Sequence, residues 1–198
     1  MKIGVLGTGT IASAVVRGIA GDGHQITVSQ RSTALSGALA EAFENVTVAD
    51  NQTVLDQSDV VFLGLMADVA EEVLGDLRLR ADHQVISFMA GASLDKVQEL
   101  VAPAKAHAVM MPFPGIAQGG SPIIMQGDAL LVKAIFAKNN SVFEAKDKAE
   151  LEAYLAAQAV LSPVARMVDD ASNWLGKRVS DPSQGEAFLR ALVASSLA

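Results

Sequence analysis

Two hydrophobic rhythms take turns along the first half of the chain. KIGVLG, from Lys2, is an apolar run of strand length. TIASAVVRGIA follows with apolar residues at helical spacing and stops at Gly21-Asp22-Gly23. QITVSQ then reads as a strand, TALSGALAEAF as a helix and VTVA as a short strand, while NQTVLDQS has room for a short helix. DVVFLGL is apolar almost throughout, as a strand covered on both faces requires. DVAEEVLGDL (helix), HQVISF (strand), SLDKVQELV (helix, with Ser93 as N-cap) and KAHAVMMPF (strand) complete the series. Strand and helix in regular alternation predict an α/β fold, a doubly wound and mostly parallel sheet.

After Pro114 the rhythm changes. GIAQGGSP reads as a glycine-rich loop, PIIMQG and SVFEAK as edge strands, and ALLVKAIFAKN as a helix. From Lys148 on, apolar residues keep helical spacing, with Pro163 kinking or dividing the first long run. The expected organisation is a sheet domain over 1–147 and a smaller, all-helical dimerisation domain over 148–198. The last segment, GEAFLRALVASSLA, places Phe188, Leu189, Leu192, Val193 and Leu197 at helical spacing and ends apolar. Such a face needs cover, which leads us to expect a homodimer through the C-terminal helices.

Bulk properties narrow the function classes. A net charge of −7 argues against nucleic acid or an anionic membrane as partner. No apolar run approaches the roughly 18 residues that cross a bilayer, and Gly4, Gly7, Gly9 and Arg17 interrupt any signal-like stretch. With no cysteine at all, thiolate catalysis and disulfides are excluded, and a reducing cytoplasm is the expected location. His24, His83 and His107 are too far apart in sequence to form a metal-ligand motif, so no metal is expected. His24 and His83, each just before a strand, read as surface loop residues.

The turn after the first strand carries the chemistry. Gly7, Gly9 and Ala12 hold the Gly-x-Gly-x-x-Ala spacing between a strand and a helix. Gly7 would permit the tight turn, Gly9 the approach of backbone N–H groups to a pyrophosphate, and Ala12 close packing of helix on strand. The helix N-terminus adds unpaired N–H groups and a positive dipole end. We therefore expect a Rossmann-type dinucleotide site. Folds that prefer NAD place an acid at the end of the second strand to bind the ribose hydroxyls. Here that stretch is Ser29-Gln30-Arg31-Ser32-Thr33, with a guanidinium and hydroxyls suited to a 2′-phosphate. NADP(H) is the expected cofactor.

The pieces IGVLGTGTIASAVVRG, ITVSQRS, Asp50-Asn51, SDVVFLGL, EEVL, VISFMAGASLDKVQEL and MMP together resemble the pyrroline-5-carboxylate reductases. The resemblance runs from residue 1 to about 112 and continues more weakly to the end of the chain. It implies an NADPH site built from Gly7, Gly9, Thr10, Ile11 and Ala12, with Arg31, Ser32 and Asn51 at the adenine ribose. Gly64, Leu65, Met66, Ala67, Met89, Ala90, Gly91 and Pro112 would complete it along the strand ends. It also implies hydride transfer to the carbon of a cyclic imine in proline biosynthesis, and a dimer interlocked through the helical domain.

The chain departs from that family on the substrate side. Met66-Ala67 stands where the family usually has Lys-Pro, and Phe113 follows Met111-Pro112 in place of Asn. QAVLSPVAR, with Ser162 near the retained Pro163, stands in place of the family's hydroxyl-bearing stretch. The family's Ser-Pro-Gly-Gly-Thr loop lies past the last residue here, so a shortened helical domain is expected. Ser162 or a bound water is the candidate proton donor. The readings left open are a pyrroline-5-carboxylate reductase, a reductase on the same scaffold with another imine, a ketone or a deazaflavin, and a non-catalytic NADP-binding module. A β-hydroxyacid dehydrogenase fits less well, since AAQAVLSPVARMVDD lacks the catalytic lysine. Arg166 with Asp169-Asp170 reads as a solvated helix face, and Met167 and Trp174 as core or interface.

Overall fold

A computed structural model describes residues 1–196. It divides into a compact unit up to Leu151 and a second unit from Glu152 on.

The first unit is built on an eight-stranded sheet. Its strands are β1 (Lys2–Leu6), β2 (Gln25–Ser29), β3 (Val46–Ala49), β4 (Val60–Leu63), β5 (Gln84–Ser87), β6 (Lys105–Pro112), β7 (Pro122–Gly127) and β8 (Ser141–Glu144). They lie in the order β3-β2-β1-β4-β5-β6-β7-β8, parallel from β3 to β6, with β7 antiparallel to β6 and β8 parallel to β7. The order reverses direction between β1 and β4, and open sheets of this kind bind ligands in the crevice beyond the strand ends at that point.

The helices are α1 (Thr10–Ile19), α2 (Thr33–Ala42), α3 (Asn51–Asp56), α4 (Ala67–Gly75), α5 (Leu94–Val101), α6 (Ala129–Phe136), α7 (Lys148–Ala157), α8 (Leu161–Gly176) and α9 (Pro182–Ser196). Their starts follow capping chemistry where a cap exists. Asp50 accepts from Thr53 N–H, Ser93 from Lys96 N–H, and Asp128 from the N–H groups of Leu130 and Leu131. Helix α1 has no side-chain cap at its Gly9 N-cap.

All four residues of β4 are buried, and Val15, Val16 and Ile19 turn the inner face of α1 onto the core. Each such side chain contributes about 1.5–3 kcal/mol on burial. Phe62 stands at the centre, 5.2 Å from Phe88 and 5.9 Å from Phe136 between ring centroids. The glycine-rich loop holds a 3-10 turn, Pro114–Ala117, laid on α1. A Cβ at Gly18 would strike the Ile116 carbonyl, which is why a glycine sits in the last turn of that helix.

Two expectations are corrected. PIIMQG is not an edge strand: β7 lies between β6 and β8, with Ile123 and Met125 fully buried, and of the two strands expected at an edge only β8 is there. The residues around it explain this, because helix α6 carries the chain back to add β8 outside. His24 and His83 are buried, not surface loop residues. His83 Nδ1 accepts the Arg80 N–H at 3.1 Å, and its Nε2 faces the Leu55 carbonyl at 3.0 Å. The Arg80 guanidinium donates to the carbonyls of Leu55 and Ser58 at 3.1 and 2.8 Å. The histidine and arginine together satisfy the carbonyls at the end of α3.

Burial, and then the Arg80 charge, hold the His83 pKa below its ordinary 6.5. The unfolded chain therefore takes up protons first as pH falls. Stability is full above about pH 6.5 and declines below it toward the depressed folded-state value. Urea denaturation of the wild type should show a lower midpoint at pH 5 than at pH 7.5, and His83→Gln should flatten that decline. An identical pH dependence in the two proteins would refute the assignment.

The second unit contains the end of α7, a 3-10 turn at Gln158–Val160, and helices α8 and α9 packed on one another. Pro163 lies in the first turn of α8, where a missing N–H interrupts no intrahelical bond. The predicted kink is thus resolved as a division ahead of the proline. Gly185 of α9 lets the two helices approach, with Leu175 and Val179 3.3 Å from where its Cβ would be. Among the described residues from Glu152 on, only Ser172 and Gly185 are buried, so this unit has no hydrophobic core of its own. Arg166 and Asp170 form an exposed ion pair at 4.0 Å, as a solvated face requires. Leu197 lies outside the described residues. No described helix is long and apolar enough to cross a membrane.

Candidate functional site

Two neighbouring clefts open at the C-terminal ends of β1 to β5, on either side of the turn that joins β1 to α1. One, of about 380 Å³, is lined by residues that include Gly7, Ser29, Gln30, Arg31, Thr33, Asp50 and Asn51. The other, of about 370 Å³, is lined by Gly9 to Ala12, Gly64 to Ala67, Phe88 and Ala90. Leu65 borders both.

The turn between them is set by its glycines. Gly7 has φ +87°, a left-handed conformation that L side chains rarely adopt, and its Cβ would also collide with the backbone of Gly64. The Gly7 carbonyl accepts the Gly9 N–H at 3.0 Å, which closes the turn. Gly9 is different. Its φ of −86° suits any residue, and a Cβ there would meet nothing within 4 Å. The fold does not need glycine at 9, so the space in front of it belongs to something else.

Helix α1 starts directly behind that space. Its first intrahelical bond runs from Ser13 N–H to the Gly9 carbonyl at 2.8 Å, so the N–H groups of Thr10, Ile11 and Ala12 precede the ladder. With no capping side chain, they present donors and the positive end of the helix dipole to the cleft. The residues present therefore fit a diphosphate. Arg31 is exposed on the first cleft and forms no ion pair among the described residues, leaving a guanidinium for a further anion.

One acid stands in the same cleft. Asp50 caps α3, accepting from Thr53 N–H at 3.0 Å and Thr53 Oγ1 at 2.6 Å, and these bonds hold its carboxyl below the usual carboxylate range. It lies at the end of β3, where a search confined to the end of β2 does not look.

The remaining expected residues divide. Gly7, Gly9, Thr10, Ile11, Ala12, Arg31, Asn51, Gly64, Leu65, Met66, Ala67 and Ala90 line the two clefts. Ser32 is the N-cap of α2, and its carbonyl is bonded to Leu35 and Ser36 N–H; it lines neither cleft. Met89 is fully buried and points its side chain into the core, while Phe88 reaches the second cleft in its place. Gly91, with φ +80°, follows in the turn after β5. Pro112 is buried at the end of β6, outside both linings. Ser162 is exposed in the first turn of α8, in the second unit. Phe88 is a contributor that sequence reasoning missed: it packs on Phe62 in the core, and only the chain's exit from β5 brings it to the second cleft as well.

His107 also lies away from these clefts. It sits on β6, its Nδ1 3.0 Å from the Asp128 carboxylate, and that contact holds Asp128 below its usual range.

Comparison with known proteins agrees with the geometry. A family model described as NADP oxidoreductase coenzyme F420-dependent matches residues 2–91. Pyrroline-5-carboxylate reductase 2 of Homo sapiens is 30% identical over 146 residues, covering 67% of this chain and 45% of that protein. The crystal structure of 1-pyrroline-5-carboxylate reductase from Streptococcus pyogenes has a TM-score of 0.82 at 23% identity, over 100% of this chain and 78% of that one. That of Plasmodium falciparum pyrroline carboxylate reductase, with NADP bound, has a TM-score of 0.81 at 18% identity, over 100% and 77%. The chain spans about half the length of the curated relatives it matches.

Proposed function

The chain belongs to the pyrroline-5-carboxylate reductase family, and we propose that it is an NADPH-dependent reductase acting on the C=N bond of a cyclic imine, in proline biosynthesis. The observation that carries the reading is the open space in front of Gly9, at the head of an uncapped helix and at the reversal point of the sheet.

Thr10, Ile11 and Ala12 would hold the pyrophosphate by their N–H groups. Arg31, with Thr33 and Asn51 nearby, would hold the phosphorylated ribose. Ile11, Leu65, Met66, Phe88 and Ala90 would enclose the nicotinamide end. Bound NADPH supplies the hydride. The chain's part is to position the two reactants and to exclude water from an apolar cleft. Among the described residues no ionisable side chain lines that second cleft, so a bound water is the proton donor proposed there, and Ser162 remains a candidate from the sequence alone. The same apolar lining, with Met66 65% exposed, favours a second reading in which the acceptor is a less polar imine.

The exposed apolar residues of α8 and α9 support a homodimer through the helical unit. The cysteine-free composition supports a cytoplasmic location. NADPH oxidation measured with pyrroline-5-carboxylate and with a panel of other imines tests the activity and separates the two acceptors. Turnover with none of them would refute both.

Cofactor preference tests the first cleft. NADPH should bind at least about tenfold tighter than NADH, about 1.4 kcal/mol, because Arg31 pairs with the 2′-phosphate. Arg31→Asp should reverse the order. Equal affinities in a calorimetric titration of the wild type would overturn the assignment of Arg31.

A further inference from the structure

Two hydroxyls at the inner wall of the first cleft are given no role in the reading above. Ser29 ends β2 at the wall of the first cleft and Thr8 lies in the turn after β1, with exposures of 0% and 1%, so both are buried against the turn. Thr8 Oγ1 donates to the Ser29 carbonyl at 2.9 Å, and Ser29 Oγ accepts the Gly7 N–H at 2.9 Å. The two hydroxyl oxygens are 3.4 Å apart, which lets the Ser29 hydroxyl donate in turn to Thr8. Backbone pairing of β1 with β2 stops at Val5↔Val28. The hydroxyls carry the connection onward by side chains.

The bonds join two places of different purpose. One end is Gly7, whose left-handed conformation sets the turn that presents Gly9. The other is the Ser29 carbonyl, part of the planar peptide that leads into Gln30 and Arg31. Holding that peptide fixes the direction in which the chain leaves β2, and with it where Arg31 stands.

We propose that Thr8 and Ser29 are positioning residues for cofactor selection, coupling the diphosphate turn to the Gln30–Arg31 segment that reads the 2′ substituent. This rests on the reading of the clefts as a dinucleotide site. Both recognition elements are then ordered before the ligand arrives, which removes part of the ordering cost of binding. Without the Thr8 hydroxyl, the Ser29–Gln30 peptide is held only from the β3 side, at Ser29↔Ala49, and the segment that carries Arg31 is less firmly placed. Without the Ser29 hydroxyl, the buried Gly7 N–H loses its partner and the turn relaxes.

Calorimetric titration of NADPH and NADH against the wild type, Thr8→Val, Thr8→Ser and Ser29→Ala tests the coupling. Thr8→Val keeps the shape and removes the O–H. It should weaken NADPH by about tenfold and NADH by less than about threefold, since the lost order falls mainly on the 2′-phosphate. Thr8→Ser, which keeps the hydroxyl, should restore the wild-type ratio. Ser29→Ala should weaken both dinucleotides, because the shared diphosphate turn is released. A wild-type NADPH:NADH ratio in Thr8→Val overturns the coupling, whether or not Tm falls, since a purely structural role would lower Tm and leave the ratio alone. Should Thr8→Val fail to fold, unchanged affinities in Ser29→Ala overturn it. A wild type that binds neither dinucleotide refutes the site and the inference together; one that binds NADPH with an unresponsive ratio refutes the inference alone.

Discussion

Gly9→Val is expected to abolish NADPH binding while leaving the fold in place. Gly9 has φ −86° and ψ −174°, an extended conformation that a β-branched residue readily adopts. Its Cβ would meet no atom within 4 Å. As an N-cap, valine is worse than glycine by about 1 kcal/mol at most, too little to unfold the domain. The bond from Ser13 N–H to the residue 9 carbonyl is backbone and survives the change. The isopropyl group would instead fill the space where we place a pyrophosphate, so NADPH affinity should drop at least about a hundredfold, about 2.7 kcal/mol. Titration alongside circular dichroism checks both halves of the statement. Undiminished binding with an unchanged spectrum would make the turn a purely structural one.

The second large effect concerns the helical unit. From Glu152 on it buries no hydrophobic side chain among the described residues, yet Met167 is 71% exposed and Trp174 and Phe188 are each 58% exposed. Val164, Met167, Val168, Ala171, Leu189 and Val193 line an apolar groove of about 300 Å³ between α8 and α9. Covering such side chains is worth about 1.5–3 kcal/mol each, enough that a few of them account for a stable dimer. Light scattering should therefore give the mass of a dimer at micromolar concentration. Met167→Glu combined with Phe188→Glu should give a monomer whose sheet unit keeps its circular dichroism and NADPH binding. A monomeric wild type would remove the dimer from the proposal.

Much of this was legible in the residues. Strand–helix alternation gives the sheet because apolar runs and amphipathic runs differ in period, and the six-strand parallel part follows directly. The place of β7 does not follow, because PIIMQG is short and its burial depends on whether a later segment pairs outside it. His83 departs from expectation for a related reason: a histidine before a strand is a loop residue by position, and only the neighbouring Arg80 and the carbonyls at the end of α3 make it a buried clasp. The glycine turn was readable, since Gly7 and Gly9 stand at fixed offsets from a strand and a helix. Which strand-end side chains enter the clefts was less so. Phe88 and Met89 are adjacent and both apolar, and the strand exit alone decides which of them borders the cleft. Thr8 and Ser29 carry no local signal, because their bond joins residues 21 positions apart.

The helical unit's lack of a core also bears on how the chain comes to be folded. The first unit contains everything it buries by Leu151, and it can collapse by a unimolecular reaction while the rest is still being synthesised. If the helices that follow pair with a second copy, as proposed, the covering of their apolar face is a second-order event whose rate depends on how many chains are present. Between the two events would stand a species with a finished sheet and an uncovered, protease-accessible helical tail. In such a dimer its lifetime would lengthen as expression falls, which would place chaperones and proteases in direct competition with the partner chain.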